Sequence, residues 1–541
     1  MPPAPRTRAT LRIAAALLGF GAFGWTLEQA AWFDPIRRAM RDPTAPSPSL
    51  DRGELGQLLR GQGLLLEERP PRHERWRGHE RDSRYRANPA GIPVAPSEPL
   101  AADYLVPGWP LISLAVDEVH LHDPERGIVV NWKTDWERPA HVSYFEGEEL
   151  RFSSKCGVRL HGGKSRDPKV QARRGVTWRS FRVYLREEFG ATLFPDSLLP
   201  GPPSDRVIVR GNSALNCAFA FDISRSMGLQ APDMRPGVFV LNGKRQGMFS
   251  LAEHLTKRRW ALRLGHDDFL FHRIRGGSDA EDQDAYGELR HWARRLDEGE
   301  ATLAAVGARV DVDNLTRSIF VTAWTANDDW VQGAAVLERN VDEPRWRWIQ
   351  WDMDRSFREG QGAPRDEEPW ERESLGIIER RAGTAVRGML FLGLLRDEPA
   401  YRESFLTLAT ELMNHVLVPD RLLPLLEAYR PYVHPLGIAE GAMRGRKEFV
   451  LRRNHVVRGQ LAEAFELGEP LRCRVEAPAS AELVIDGHPA GERYRGFYFA
   501  GQTLHARTAD GAERTWRVNG DAVVAHELRL TVEEPLQIEL L

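Results

Sequence analysis

The chain has 541 residues, 42% hydrophobic residues and a formal net charge of −3 at pH 7, which allows about three folded domains and excludes disorder throughout. The near-neutral charge excludes a broad nucleic-acid-binding surface, so any anion must bind at a local site. The three cysteines, Cys156, Cys217 and Cys473, match no CxxC spacing, which argues against a zinc site or a disulfide framework but leaves a single Cys156–Cys217 bridge open.

The first 33 residues have the pattern of a signal sequence or signal anchor. Arg6, Arg8 and Arg12 precede the apolar run IAAALLGFGAFGW, and this order favours a chain whose bulk lies outside the cytoplasm. The run is shorter than the roughly 20 residues that span a bilayer comfortably, and further arginines follow it. A buried or amphipathic amino-terminal helix is the alternative.

Residues 34–105 are rich in proline and mixed charge, which predicts a linker. Strand-like segments then dominate up to about Gly247, and the pair Asn242 and Gly243 predicts a tight hairpin turn. The segments that predict strands in this β-rich lobe are GIVVNW, HVSYFEG, WRSFRVYLR, RVIVRG and GVFVLNG.

Beyond Asp311 the pattern becomes helical. Asp311 is a candidate helix cap, and Leu315, Ile319 and Ala323 recur at helical spacing. Further amphipathic segments continue to about Phe465, and the last seventy or so residues alternate again. The predicted class is therefore α+β, with a β-rich and a helical lobe over residues 106–467 and a small β-sandwich over residues 468–541.

The segment WRWIQWDMDRSFREG places two acids, Asp352 and Asp354, at the end of an alternating strand pattern. If the extended geometry persists, both carboxylates lie on the same face. Like charges this close require a cation or a proton. A solvated turn with exposed acids is the alternative for an isolated DxD pattern.

Two further acids precede this strand. Ala335–Arg339 and Arg345–Trp351 have strand patterns, and NVDEP supplies the turn between them. An antiparallel hairpin would bring Asp328 and Asp329, before its first strand, towards the two acids of WDMD. Four clustered carboxylates favour a divalent cation or a general base.

Phosphoryl transfer needs a layout of this kind. One carboxylate orients the attacking hydroxyl and accepts its proton, and another holds the magnesium that bridges the phosphates. In protein kinases these acids come from a loop before a hairpin and a loop after it, as predicted here. The reaction also needs a basic residue on an upstream strand and an acid that orients it.

Several segments, in order, resemble the bacterial CotH kinase family over roughly Leu111–Phe465. The resemblance implies a kinase-like fold that uses ATP and Mg²⁺ or Mn²⁺ to phosphorylate serine or threonine of secreted, surface or envelope proteins. The amino-terminal pattern separately predicts contact with the membrane. The segments that carry it are GIVVNWKTDWERPAHVSYFEG, GVRLHGGKSR, WRSFRVYLREEFGATLF, VIVRGN, MGLQAPDMRPGVFVLNGKRQGMFSLAEHL, DVDNLTRSIFVTAWTANDDW, RWRWIQWDMDRSF and FVLRRNHVVRGQL.

The resemblance also implies individual roles. Asp329 in NDDW matches the proposed catalytic acid, and Asp354 in DMD matches the metal-binding acid, with Asp352 beside it. Glu253 in SLAEHL matches the acid that follows the NG turn. Arg210 in VIVRGN lies in the segment that contributes to the nucleotide cleft.

Three departures bear on catalysis. Arg179 stands where the family usually has lysine, and Lys164 in HGGKSR could supply the ammonium instead. Gln332 is the nearest amide after Asp329, where the family commonly has metal-binding asparagines. Arg358 replaces a loop glycine. These departures leave two other hypotheses open: a non-catalytic binding or assembly module, and a metal-dependent glycosyltransferase that uses the DxD.

Overall fold

The computed structural model describes residues 110–541 apart from 164–165, 170–178, 188–190, 212–213, 275–277, 297–298, 358–366 and 431–439. All described residues belong to one structural unit, Gly78–Leu541. The predicted signal segment, the predicted linker, Lys164 and Arg358 lie outside the described residues.

Within the described residues, seven strands close into a barrel in the order β1-β2-β3-β4-β5-β7-β6. The closing pair, β6 and β1, is parallel, whereas the other neighbours are antiparallel. Alternate side chains such as Val142, Val158 and Val183 are buried in the barrel core. The strands are β1 (Pro110–Ala115), β2 (Arg138–Glu146), β3 (Glu149–Leu160), β4 (Phe181–Tyr184), β5 (Arg206–Arg210), β6 (Met234–Leu241) and β7 (Lys244–Glu253).

The segment GIVVNW is not a strand, so this prediction was wrong. Residues 128–133 form turns after the short helix α1 (Glu118–His122). The Asn131 side chain donates hydrogen bonds to the carbonyl oxygens of Pro124 and Gly127, both at 3.0 Å. Local side-chain bonds of this kind compete with strand pairing and hold the segment in a turn.

The helices beyond Asp311 follow the pattern predicted from the sequence, and helix α6 is capped by Asp311, which accepts a hydrogen bond from the Asn314 backbone at 2.9 Å. Among the described residues, no helix is both long enough and apolar enough to cross a membrane. The helices are α2 (Ala214–Ser226), α3 (Lys257–Leu264), α4 (Ala280–Arg295), α5 (Leu303–Gly307), α6 (Val312–Trp324), α7 (Ser374–Glu379), α8 (Val386–Asp397), α9 (Pro399–Glu411), α10 (Pro419–Glu427) and α11 (Glu440–Ala464).

The predicted hairpin is confirmed. Strands β9 (Ala334–Glu338) and β10 (Trp346–Ile349) pair antiparallel, with Trp346 opposite Leu337, and β8 (Phe269–Arg273) pairs with the other edge of β9. Trp346 and Trp348 are buried in the core that the helices share. The hairpin is therefore fixed in the molecule by packing on its inner face.

The predicted turn at Asn242 and Gly243 is also confirmed. Both residues have positive φ, at 49° and 73°, and they join β6 to β7. These angles belong to the type I′ turn, which matches the twist of the flanking strands and favours asparagine followed by glycine.

Residues 471–541 form two sheets in a stretch that the structure describes without a gap. The sheet orders are β14-β11-β19-β16-β17 and β13-β12-β15-β18, and one hydrophobic core draws residues from both. The predicted α+β class is thus confirmed. The strands are β11 (Leu471–Glu476), β12 (Leu483–Ile485), β13 (His488–Pro489), β14 (Arg493–Tyr498), β15 (Thr503–Thr508), β16 (Arg514–Val518), β17 (Asp521–Ala525), β18 (Glu527–Thr531) and β19 (Leu536–Leu540).

The carboxy-terminal sheets contact the helical region through polar side chains. The Asn414 amide donates to the carbonyl oxygen of Phe497 and accepts from its backbone N–H, each at 3.0 Å. Cys156, Cys217 and Cys473 are buried and free, so the structure contains no Cys156–Cys217 bridge.

Candidate active site

The loop before β9 and the turn after β10 lie at the same end of the hairpin and meet beside helix α6. The Phe357 backbone donates a hydrogen bond to the carbonyl oxygen of Thr325 at 2.9 Å, and the Asn327 amide contacts the Met353 sulfur at 3.2 Å. The hairpin returns the chain as the sequence predicts, because antiparallel pairing places the start of β9 beside the end of β10. The loop before β9 and the turn after β10 form the candidate active site.

Asp352 and Asp354 meet at one arginine. Nη2 of Arg210, at the end of β5, lies 2.8 Å from Oδ1 of Asp352 and 3.3 Å from Oδ2 of Asp354. The extended geometry does not persist to these acids, because β10 ends at Ile349 and Met353–Arg355 form a 3-10 turn. The carboxylates therefore converge through a turn rather than through strand alternation.

Burial and neighbouring charges have opposite effects on the pKa of this arginine. Burial alone would lower the pKa of the Arg210 guanidinium, but Cys217, Asp352 and Asp354 raise it above its ordinary value. Burial raises the pKa of the adjacent Cys217 thiol to about 12. At neutral pH, Arg210 therefore stays charged and Cys217 stays a thiol, so the cluster combines one positive guanidinium with the two carboxylates.

Asp328 holds the two loops together. Its Oδ2 lies 3.0 Å from Nη2 of Arg355 and 3.4 Å from Nη2 of Arg372. Arg372 is buried and also donates to the carbonyl oxygen of Ala326 at 3.0 Å. These charge-assisted bonds fix the backbone immediately before Asp329.

Asp329 is more accessible than Asp328. Its Oδ1 accepts from Nη1 of Arg381 at 2.7 Å, and its Oδ2 accepts from the Gln332 amide at 3.2 Å. The Arg381 side chain is 41% exposed, so this ion pair is screened by water and a substrate hydroxyl can displace it at small cost. The Gln332 side chain therefore contacts Asp329, and its predicted role as a metal ligand stays a prediction.

The turn after β10 is held from its other side by helix α2. The Asn216 amide donates to the carbonyl oxygen of Ser356 at 2.9 Å, and its Oδ1 accepts from Nε of Arg446 on α11 at 3.0 Å. Asn216 is buried. A buried, fully used amide of this kind fixes the position of the acids on the turn.

Three residues of the two loops have left-handed backbone angles in the part of the chain that the structure describes. They are Ala326 (φ 54°), Asp352 (φ 53°) and Phe357 (φ 59°). Such angles are unfavourable for alanine and for a bulky side chain, and they persist only where the surroundings enforce them. Strain of this kind concentrates at functional sites.

Glu253, which was predicted to line the nucleotide cleft, lies apart from the acids of the candidate site. Glu253 is buried between Arg259, at 2.7 Å, and Arg263, at 2.6 Å. In the β5–β7 ladder it lies opposite Val207, whereas Arg210 lies opposite Ser250. Glu253 therefore lies three positions along the ladder from Arg210, and its role in nucleotide binding stays a prediction.

Arg179 lies close to the end of β5. Its Nη1 donates to the carbonyl oxygen of Arg166 at 2.8 Å, and the next residue, Ser180, accepts from the Gly211 backbone at 3.1 Å. Burial lowers the pKa of the Arg179 guanidinium. Its position next to the Arg210 strand end is compatible with the predicted role, which stays a prediction.

The sequence predicted Arg210 for the nucleotide cleft, but it did not indicate which arginines contact the four acids. They are Arg210, Arg355, Arg372 and Arg381, and most of them lie far along the chain from the acids that they contact. Arg355 alone had a local signal, since it directly follows the second acid of DMD. Each of the four acids therefore has at least one arginine partner in the structure.

Gly388 sets how closely helix α8 approaches the Asp329 loop. A Cβ at this position would lie 2.6 Å from the Trp330 ring and 2.8 Å from Cα of Ala382. We expect Gly388→Ala to destabilise the protein by about 1–3 kcal/mol, because Trp330 must move. Gly459→Ala, in helix α11 with open space around it, should instead stabilise by up to about 1 kcal/mol. Chemical denaturation of both variants checks this, and equal changes would contradict it.

Comparison with known proteins finds a family model that matches the part of the chain containing this site. Residues 208–436 match the family model described as CotH kinase protein. The predicted CotH kinase resemblance is confirmed. The match includes Arg210 and all four acids, and it supports a kinase-like function.

Other comparisons add less. No curated protein matches the chain. The chain is similar to the crystal structure of the Helicobacter pylori proinflammatory kinase CtkA, with 10% identity, a TM-score of 0.20 and coverage of 48% of this chain and 92% of that one. A TM-score at this level does not establish a shared fold, so the family model carries the assignment.

Proposed function

We propose that the chain is a CotH-type protein kinase that transfers phosphate from ATP to serine or threonine of secreted or surface proteins. The observation that carries the proposal is the contact between the Asp329 loop and the Asp354 turn inside the segment that matches the CotH model. Phosphoryl transfer needs an acid for the acceptor hydroxyl and another for the metal, and these loops supply both.

In this proposal Asp329 orients the acceptor hydroxyl and accepts its proton. Its carboxylate is partly exposed and lies at the edge of the site, with Arg381 and Gln332 as exchangeable partners. The Asn327 side chain accepts a hydrogen bond from the Asp329 backbone at 3.2 Å, which limits the movement of the loop. A carboxylate held this way is positioned before the acceptor arrives.

Asp352 and Asp354 would hold the magnesium ion. Among the described residues, no group of three or more acids, histidines or cysteines could hold a metal without other ligands. Magnesium, however, commonly uses one or two carboxylates together with substrate phosphates and water, and these two carboxylates fit that donor set. A bound ion would neutralise the charge of the phosphates. Because Gln332 donates to Asp329, we propose that one metal suffices.

The Arg210 contacts predict that metal and nucleotide bind together. Arg210 pairs with both acids and competes with a cation for them, so Mg²⁺ or Mn²⁺ without nucleotide should shift the melting temperature little. ATP with either metal should stabilise the protein by about 2.7 kcal/mol at a hundredfold excess over Kd. A thermal-shift series with ATP, each metal and both together checks this. An ATP effect that is independent of metal would contradict it.

The finer architecture also belongs to the proposal. We assign the barrel and the helical region to the two lobes of a kinase-like domain, residues 106–467, and the last two sheets to a β-sandwich, residues 468–541. Residues 1–33 are proposed to direct the bulk of the protein out of the cytoplasm and to contact the membrane. A reporter fused after Phe465 that is active only in the cytoplasm would overturn this localisation.

A non-catalytic binding module is the second candidate. Both carboxylate oxygens of Asp329 accept hydrogen bonds within the chain, from Arg381 at 2.7 Å and from Gln332 at 3.2 Å. These contacts favour this candidate. In this alternative the ion pair is part of the fold, and the acid does not meet an acceptor. Nucleotide binding without transfer to any acceptor, including the chain itself, would support it.

A further inference from the structure

Three arginines lie together on the outer face of the barrel and on the neighbouring sheet. Arg159 on β3 is directly opposite Arg182 on β4, and Arg273 ends β8. Val158 and Val183, the alternating residues of the same strands, belong to the barrel core, so Arg159 and Arg182 project from the other face. We call Arg159, Arg182 and Arg273 the arginine row.

The arginines of the row differ from neighbouring arginines, which form salt bridges with acids. Arg186 pairs with Glu137 at 2.7 Å and Arg206 pairs with Asp205 at 2.6 Å. Within the described part of the chain, no salt bridge involves any member of the arginine row. Like charges directly opposite in a ladder destabilise a sheet, so Arg159 and Arg182 repel each other, although the Asp135 charge acts favourably on Arg182.

Neutral groups hold these guanidinium groups in place. Nε of Arg182 donates to Nδ1 of His161 at 2.9 Å, the Arg159 guanidinium lies 5.6 Å from the Tyr184 ring centroid, and that of Arg273 lies 5.7 Å from the Trp351 ring centroid. Burial, and then the Arg182 charge, lower the pKa of Arg273 to about 10, so it remains protonated at neutral pH. The positive charges are therefore fixed and retained.

A buried histidine faces the same arginines. His254 is 4% exposed, and neither of its ring nitrogens has a hydrogen-bond partner among the described residues. Burial, followed by the charges of Arg182 and Arg273, lowers its pKa well below the ordinary value. A neutral imidazole retains one N–H donor, and burying it without a partner is costly. A ligand with acceptor oxygens would satisfy it.

We propose that the arginine row, with His254, binds an oligophosphate chain. Fixed guanidinium groups bind phosphate oxygens in pairs, and several phosphates in series match several arginines better than a single anion does. Arg210, whose charge also acts on His161, lies on the same strand face as the row and contacts Asp352 and Asp354. The site therefore extends from the row towards the acids.

The identity of the ligand rests on the proposed function: if the chain is a kinase, the oligophosphate is the phosphate chain of ATP. Free inorganic polyphosphate has the same chemistry. In either case the arginine row supplies the positive charge for which the sequence analysis considered Lys164 and Arg179.

The test compares thermal shifts of the full chain with tripolyphosphate, ATP and adenosine, each in the presence of Mg²⁺ and at constant ionic strength. Tripolyphosphate and ATP should both stabilise the protein, and adenosine should not. Stabilisation by adenosine alone, or by ATP but not tripolyphosphate, would overturn the inference. Stabilisation by tripolyphosphate but not ATP identifies free polyphosphate as the source and supports it.

Variants separate ligand binding from folding. Arg182→Gln and Arg273→Gln should each weaken the apparent tripolyphosphate affinity by about 10- to 100-fold. The melting temperature of ligand-free Arg273→Gln should not fall, because a repulsive charge is removed. Arg258→Gln is the matched control, since this side chain is 69% exposed, and its tripolyphosphate affinity should be unchanged. Unchanged affinity in both row variants would overturn the inference.

Transfer assays then distinguish this inference from the proposed function. Tripolyphosphate binding without transfer from ATP would leave the inference standing and remove the proposed kinase activity. Transfer with an unchanged KM for ATP in both Arg182→Gln and Arg273→Gln would retain the kinase activity and remove the inference.

Discussion

Asp329→Asn is expected to lower transfer from ATP by about two to four powers of ten while ATP binding stays nearly intact. The carboxylate is partly exposed at the edge of the site and contacts Arg381 and Gln332, so no nucleotide contact is assigned to it. Its proposed interaction with the acceptor hydroxyl strengthens in the transition state. An amide keeps the shape of the side chain but accepts the proton poorly.

Asp354→Asn should behave differently, because it removes a negative charge that would hold the metal ion. We expect metal-dependent ATP binding to weaken in this variant. Calorimetric titration with ATP and Mg²⁺, together with initial rates of transfer, separates the two effects.

Asp342→Asn is the matched control for both variants. Asp342 is an exposed acid in the turn at the opposite end of the same hairpin, so its replacement should change neither binding nor rate. If Asp329→Asn and Asp354→Asn both retain wild-type binding and wild-type turnover, the convergence of these carboxylates is incidental to function.

Arg453→Met is expected to destabilise the fold by about 3–5 kcal/mol, because the buried acceptors around the arginine lose their donors. Arg453 is 0% exposed and lies on helix α11. It ties this helix to the end of α6, immediately before the loop that carries Asp329. Its guanidinium donates to the carbonyl oxygens of Ala323, Trp324, Trp370 and Arg372 and to the Ser374 hydroxyl, over 2.6–2.9 Å.

The neighbouring residue gives the control for this prediction. The Arg452 side chain is 59% exposed and pairs with Glu448 on the same helix, so Arg452→Met should cost about 0.5 kcal/mol or less. Urea unfolding of both variants measures the difference. Similar losses in the two variants would show that the buried network contributes little.

Local patterns in the sequence predicted the elements that are determined locally. The Asp311 cap marked the start of helix α6, and Asn242 with Gly243 marked a hairpin turn. The β9–β10 hairpin followed from two short alternating segments and one turn. In each case a few adjacent residues carry the determining interaction, so the signal is readable without tertiary contacts.

Closure of the barrel was not predicted, because it depends on distant pairing. Strand β1 pairs in parallel with β6, and the Val116 backbone donates to Asn242, 126 residues away. The GIVVNW segment has an apolar composition typical of a strand, yet local bonds from Asn131 hold it in turns. Tertiary and side-chain contacts override propensity at both places.

The sequence predicted the contact between the loop before β9 and the turn after β10, but it did not predict the balance of charges there. The sequence indicated that Asp352 and Asp354 would converge and would need a cation. The structure supplies Arg210, which is 142 residues away from Asp352. With 74 lysines and arginines in the chain, no spacing rule selects this partner, because the contact is created by the packing of β5 against the turn.

The most direct test of the central claim is transfer of labelled phosphate from ATP by the purified protein, with Mg²⁺ or Mn²⁺ and candidate acceptor proteins. The account predicts metal-dependent labelling of serine or threonine, on an acceptor or on the chain itself, that falls by about two to four powers of ten in Asp329→Asn. Absence of any transfer with either metal, including self-transfer, would contradict it.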